Sequence, residues 1–559
     1  MTSEVYGIAD RYVEELAALD PVAATGLGIA GHDEAMTDYS PAGYEALQGL
    51  RTDTRVALDG AALSGDRDRV AREVMTNALG AQSAAYDAED HLRGLGILGT
   101  PVQAMRMTFD QMPRDTREEW ERIVTRLRKV GDGLASYRET LDLGVERGKP
   151  AAGRQAVEVA RQCDTWSGRT GGTPFFDRLI DAFDAAGIGD DILRGRLTDA
   201  VTAANSAFGE MGQYLAGELA PRADETDAVG PERYQRSSLL YNGAELELEE
   251  TYAWGWDELY RIEEEMRATA HRIVPGGSVA EARELLETDP ERCIEGEERF
   301  QQWMQDLQER TIAELNGVHF DIPEPIQRIE AKIAPPGGAL AMYYTAPSED
   351  FSRPGRTWYP TGGKTRFPLW GEVSIAYHEG VPGHHLERAS VRYKADTLSR
   401  FQRLFALSGY VEGWGLYAER LMSELGYLEN PDYYLGMLRA QALRCVRVVV
   451  DIGMHLQLRI PERDPFHGGE TWTPELGQAF ADERSQFPPE FMASEITRYL
   501  GRPGQAISYK VGERAWLEAR EAAKQVQDGA FDLKAFHANA FEVGPMGLSQ
   551  MQRELGATS

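Results

Sequence analysis

Cysteine is nearly missing from the chain: three residues in 559, at positions 163, 293 and 445. They are odd in number and far apart, which excludes a disulfide framework and a thiolate zinc site and leaves His, Glu and Asp as possible metal ligands. Cys445 lies in an apolar stretch and reads as a small core residue, not a nucleophile. Basic charge is short as well. The net charge is −31, a field that repels phosphate backbones, so no nucleic-acid partner is expected. Long hydrophobic runs are absent too. The longest aliphatic cluster, Val446-Arg447-Val448-Val449-Val450, carries a charge, and nothing approaches the roughly 20 apolar residues of a membrane span. Residues Met1 to Leu19 mix Glu, Asp and Arg with apolar positions and lack the basic start and apolar run of a secretory signal. A cytoplasmic protein with no membrane partner is expected.

What is there suffices for one large core or two moderate ones without disulfides, since 42% of the residues are apolar and 27% charged. Apolar residues recur at three and four over Val5–Leu19, Arg67–Leu98, Glu118–Leu141, Leu193–Leu219, Leu246–Ile273 and Val279–Leu315, which predicts helices. Strand-like alternation is confined to Gly338–Tyr344 and Thr357–Tyr359, with Pro347, Pro354-Gly355 and Gly362-Gly363 as punctuation. That pattern predicts a β-hairpin or small sheet. Helical writing resumes near Leu369. The polar connection Pro221–Pro231 either divides an N-terminal helical half, 1–230, from a C-terminal half, 231–559, or is a loop within one continuous domain. The expected fold is mainly α.

One segment carries chemistry: Ala376-Tyr377-His378-Glu379-Gly380-Val381-Pro382-Gly383-His384-His385-Leu386-Glu387. It holds three of only ten histidines, with a Glu directly after the first. Zinc hydrolases need two neutral imidazoles on one side of the metal and a carboxylate beside the bound water, which on a regular helix gives H-E-x-x-H. Here the fourth position after His378 is Pro382, which cannot coordinate. Pro382 removes a backbone donor and Gly383 loosens the chain, so the helix should bulge or break there. A widened turn would bring His384 back beside His378. His385 lies on the same nominal face but two turns on, roughly 10 Å along a straight helix. His384 is therefore the preferred second ligand, with His385 the alternative. The histidine not used would contact substrate or orient the other ring.

A third ligand is expected on a following helix, and Val411-Glu412-Gly413-Trp414-Gly415-Leu416-Tyr417-Ala418-Glu419-Arg420 supplies Glu412. Glu419, two turns further along the same face, could hold a ligand histidine from behind. In Arg444-Cys445-Val446-Arg447-Val448-Val449-Val450-Asp451-Ile452-Gly453-Met454-His455, charges sit inside an apolar helix and need partners. Asp451 is expected to support a ligand, and Arg447 or His455 to face substrate, unless they form a structural ion pair. Further on, Tyr509 follows a Pro503-Gly504 opening and is a suitable donor to a developing oxyanion.

Together, His378–His385, Glu412–Glu419, Asp451–His455 and Pro503–Lys510 resemble the bacterial family Domain of Unknown Function 885. Tyr343-Tyr344, Ser352-Arg353-Pro354-Gly355 and the closing Gly544-Pro545-Met546-Gly547-Leu548 look like its pattern too, as does the Pro21–Gly31 region with Tyr39–Gly43. That family looks like a distant relative of gluzincin peptidases with thimet oligopeptidase-like folds. The resemblance implies a large helical, clam-shaped molecule with one Zn²⁺ in a deep cleft. By analogy His378 and Glu412 carry over as ligands, Glu379 as general base and Tyr509 as transition-state donor; the second histidine does not map onto the parent motif.

The resulting expectation is a zinc-dependent hydrolase of short peptides: a carboxypeptidase, dipeptidase or oligopeptidase. Tyr509, His385 or His455 would stabilise the oxyanion. The strand ending at Tyr344 would bind an extended peptide by edge pairing, and Arg353, Arg447 or Arg498 would clamp a substrate carboxylate. The competing readings are a zinc amidohydrolase on a non-peptide amide and a non-catalytic helical binding protein with a structural metal.

Overall fold

A computed structural model of the chain describes residues 3–334, 342–348, 351–527 and 529–556. Helices carry most of them, and strands are few and short. The chain divides into two compact units. One comprises Met1–Leu63, Leu79–Val229 and Glu495–Arg502; the other comprises Ser64–Ala78, Gly230–Ser494 and Pro503–Ser559.

In the first unit the long helix Asp191–Tyr214 packs against Gly153–Trp166 and Arg117–Leu127. Their shared core includes Trp120, Tyr137, Cys163, Phe176 and Phe208. Thr116 and Glu119 form a reciprocal cap at the start of Arg117–Leu127, satisfying N–H groups that the first turn leaves without partners. The expected single helix Glu118–Leu141 is two, Arg117–Leu127 and Val130–Glu146, with a break at Arg128-Lys129.

The second unit is built on two 26-residue helices packed along each other, Leu248–Ile273 and Pro431–Leu456. They approach closely at Gly255, where a Cβ would lie 2.6 Å from Val448 Cγ1. The Pro431–Leu456 helix is buried on nearly every face. A helix that is apolar all round belongs in such a place, which explains the run Val448–Val450. A second pair, Ser408–Glu424 and Ser508–Gln527, crosses almost backbone to backbone: a Cβ on Gly413 would lie 2.5 Å from Gly512 Cα.

The small sheet has strand order Ile329–Ile333, Gly355–Tyr359, Tyr343–Thr345, the first pair parallel and the second antiparallel. Of the expected strand Gly338–Tyr344, residues 338–341 lie outside the described residues. Ile329–Ile333 was not expected, although Ile-Glu-Ala-Lys-Ile alternates as a half-buried strand does. The expected helix Val279–Leu315 is interrupted. It ends at Thr288, Pro290 cannot continue it, and Cys293–Glu295 pairs with Arg366–Pro368 before a new helix starts at Glu297. Arg67–Leu98 likewise stops as an α-helix at Asp87.

Cys163 and Cys445 are buried free thiols, and burial pushes both up to about 12, so neither is a nucleophile near neutral pH.

Candidate functional site

The segment 376–387 folds as two helices. Glu372–Glu379 ends at Gly380, Val381-Pro382 is a cis peptide, and a second helix runs from His384 to Tyr393. Two hydrogen bonds hold the break: Gly383 N–H donates to the Tyr377 carbonyl and His385 N–H to that of Gly380, both at 3.0 Å. Trp414 Nε1–H donates to the Pro382 and Gly383 carbonyls at 2.9 and 3.2 Å. A side chain at Gly383 would collide with the His378 carbonyl, so only glycine lets the chain fold back this closely. The fold-back returns His384 beside His378, with ring centroids 4.6 Å apart and planes at 81°.

Helix Ser408–Glu424 supplies the facing wall. Glu412, Gly415 and Glu419, spaced by three and four, share one face. The His378 ring lies along that face. Its Nδ1 is 2.8 Å from Glu419 Oε1 and its Nε2 is 3.4 Å from Glu412 Oε2. The ring fits because position 415 has no side chain; a Cβ there would lie 2.6 Å from His378 Cε1. Glu419 is fully buried and also accepts from Ser374 Oγ, so its carboxylate is oriented from two sides. His384 Nε2 is 3.4 Å from the same Glu412 Oε2. His378, Glu379 and His384 each offer a donor atom within 4.8 Å of the others. These residues, with Glu412, could hold a metal ion. The Glu412 side chain retains 23% exposure, so the cluster opens to solvent on its side.

The electrostatics call for positive charge. Burial opposes protonation of His378, but Glu412 and Glu419 outweigh it and raise the imidazole to about 9. Burial likewise opposes ionisation of Glu412, yet the two imidazoles hold its carboxyl well below the usual range. Glu379 is pushed up, chiefly by burial, in spite of His384 and His378. Without an added cation, a proton on His378 answers three nearby carboxylates.

His385 faces away from the cluster. Its Nε2–H donates to the Ile326 carbonyl at 2.7 Å and its Nδ1 accepts from Tyr344 Oη at 3.0 Å, while burial lowers it to about 4. It is a neutral ring that ties the second motif helix to the small sheet. Tyr344 is therefore committed to His385. Tyr509 stacks on His378, with centroids 6.3 Å apart and planes at 22°, and Arg447 lies over the Tyr509 ring at 4.6 Å.

Other expected residues serve elsewhere. Asp451 accepts from Tyr234 Oη at 2.7 Å and from Gly504 N–H at 2.9 Å, fixing the turn that leads into the Tyr509 helix. His455 is fully buried, 3.6 Å from Asp451 and against the Tyr234 ring. Arg353 donates to the Ala346 carbonyl at 2.8 Å and braces its own loop. Arg498 belongs to the first unit, where it forks onto Glu495 at 3.0 and 2.8 Å. Three contributors were not singled out for these roles from sequence: Ser374, Gly415 and Trp414. The spacing Glu-x-x-Gly-x-x-x-Glu would have signalled Gly415, as a gap for a ring between two acids.

Fold and site define a mainly helical protein with a buried cluster of two histidines and three carboxylates. The chain belongs to the bacterial family of unknown function DUF885, whose model matches residues 21–555. No curated protein matches it. Among solved structures, it resembles a "putative lipoprotein" from Colwellia psychrerythraea at 23% identity and a TM-score of 0.85, covering 99% of both chains. It also resembles a "putative lipoprotein of unknown function" from Shewanella oneidensis at 17% identity and a TM-score of 0.73, covering 99% of this chain and all of the other. At these identities the likeness shows the fold. None of the described helices is long and apolar enough to cross a membrane.

Proposed function

We propose that the protein is a zinc-dependent hydrolase of short peptides, in the cytoplasm, with one ion held by His378, His384 and Glu412 and with Glu379 as general base. A metallopeptidase-like fold and a distant kinship with the gluzincin peptidases belong to the same proposal. One observation carries it: two imidazole nitrogens stand 3.4 Å from a single carboxylate oxygen. That separation is long for a hydrogen bond. It equals the spacing of about 3.4 Å between neighbouring ligand atoms around a tetrahedral ion with bonds of about 2.0–2.1 Å. The donor set supports zinc, and the demand for positive charge that raises His378 would be met with both rings neutral.

When bound, zinc supplies a Lewis acid and a more acidic water. The chain's own residues do the rest. Glu419 takes the Nδ1–H of His378, which leaves Nε2 as the free donor. Glu379, buried and adjacent, accepts the proton of the attacking water and holds it at its carboxylate for the leaving nitrogen. Tyr509, stacked on His378, would donate to the oxyanion.

Glu379→Gln should keep stoichiometric zinc and lose about 10²–10⁴ in turnover. Zinc analysis and a mixed-peptide digest read by mass spectrometry test this. A protein that binds zinc but shows no Glu379-dependent cleavage would sink the enzyme reading.

A further inference from the structure

Arg444 is the cation beside the cluster that the proposed chemistry leaves unused. It lies on helix Pro431–Leu456, one turn before Arg447, and is only 9% exposed. Its Nη1 donates to the Ala440 carbonyl of its own helix at 3.2 Å, and its Nε is buried without a hydrogen-bond partner. Among the described residues, no carboxylate pairs with it. A buried guanidinium normally has an acidic partner, because removing it from water uncompensated is costly. Arg447, by contrast, has further partners of its own.

Arg444 also faces the proposed reaction centre. Its Cζ is 5.6 Å from the centroid of the Tyr509 ring, which stacks at 6.3 Å on His378. These two contacts limit the separation of Arg444 and the His378 ring to about three extended residues at 3.3–3.6 Å each.

We infer that Arg444 is the anion subsite of this centre and receives the free C-terminal carboxylate of a peptide cleaved one to three residues from its end. Guanidinium and carboxylate match as a planar fork, and the incoming carboxylate would supply the acidic partner that Arg444 lacks among the described residues. The enzyme is then a carboxyl-terminal exopeptidase, an assignment that rests on the proposed zinc hydrolase.

A library of N-acetylated tetrapeptides, synthesised once as free acids and once as C-terminal amides, separates the two claims. The wild-type zinc protein should cleave the acids at least about tenfold faster in kcat/KM, releasing one to three residues. Arg444→Gln should lower kcat/KM for the acids by about 30-fold or more, mainly through KM, and bring the acid-to-amide ratio down toward one. Arg444→Lys should restore part of the loss. Binding supplies a readout without turnover: zinc-loaded Glu379→Gln, titrated calorimetrically with the best acid and its amide, should bind the acid at least about tenfold more tightly. If Arg444→Gln does not fold, the wild-type acid-to-amide ratio and the Lys variant carry the test. Equal, Glu379-dependent cleavage of acids and amides would overturn the subsite while leaving the hydrolase standing. Loss of Glu379-dependent cleavage from both libraries would overturn the hydrolase and the subsite with it.

Discussion

His384 and His385 are adjacent in sequence and opposite in role. Nε2 of His384 meets Glu412, whereas both nitrogens of His385 are occupied by Tyr344 and Ile326. His384→Ala should abolish stoichiometric zinc. His385→Ala should retain zinc but lower the melting temperature, because it cuts the tie to the sheet. Elemental analysis beside thermal unfolding distinguishes the two. Glu419 acts through His378. Glu419→Gln should weaken zinc affinity about 10–100-fold in a chelator competition, since it replaces the charged acceptor that fixes the tautomer of His378, a proposed ligand, with a neutral amide. Residue types at this scale were legible in the sequence: scarce histidines beside a Glu, and acids on an otherwise apolar helix. Their partners were not. Asp451 looked like a support for a ligand and instead holds Gly504.

At the scale of elements, glycines decide how close helices and rings come. Helices Ser408–Glu424 and Ser508–Gln527 carry Glu412 and Tyr509 respectively, and they touch at Gly413 and Gly512. Gly512→Ala should cost about 1–3 kcal/mol, as overpacking does, measured by denaturant unfolding. Because Tyr509 is one turn away, the variant should also slow turnover. Unchanged stability would mean that the crossing tolerates an added methyl group. The Pro-Gly break in the motif was readable locally, since Pro382 cannot propagate a helix. The strand Ile329–Ile333 was harder to see, because five residues of alternation carry little signal until a partner strand is in place.

For the molecule as a whole, a buried neutral histidine predicts acid sensitivity. His537 accepts from or donates to Tyr417 Oη at 2.8 Å, stacks on Phe320 at 5.0 Å, and is lowered by burial to about 3. Its folded pKa lies below the unfolded value of about 6.5. Its contribution to stability is therefore fully present above pH about 6.5 and is lost as pH falls toward 3. His537→Gln should flatten the stability curve over that window by up to about 1.4 kcal/mol per pH unit, read as the difference between the two proteins in urea melts. Parallel curves would show that His537 protonates without cost. The division into units has a similar distance dependence. Gly230, where the second unit resumes, lies in the Pro221–Pro231 connection, but nothing local marks Ser64–Ala78 or Glu495–Arg502 as exchanged between units.

The sequence by itself determined what local chemistry determines: helices from the three-and-four recurrence of apolar residues, a break at Pro382, and a donor set limited to His and carboxylate by the shortage of cysteine. Tertiary structure alone decided which of two neighbouring histidines meets Glu412, that Glu412, Gly415 and Glu419 form the face on which His378 lies, and that Arg444 is buried beside Tyr509 without an acidic partner among the described residues. The physical reason is range. Periodicity and backbone restriction act over a few residues, whereas His378 and Glu419 are 41 positions apart and Arg444 and Tyr509 are 65, so their meeting depends on how whole helices pack.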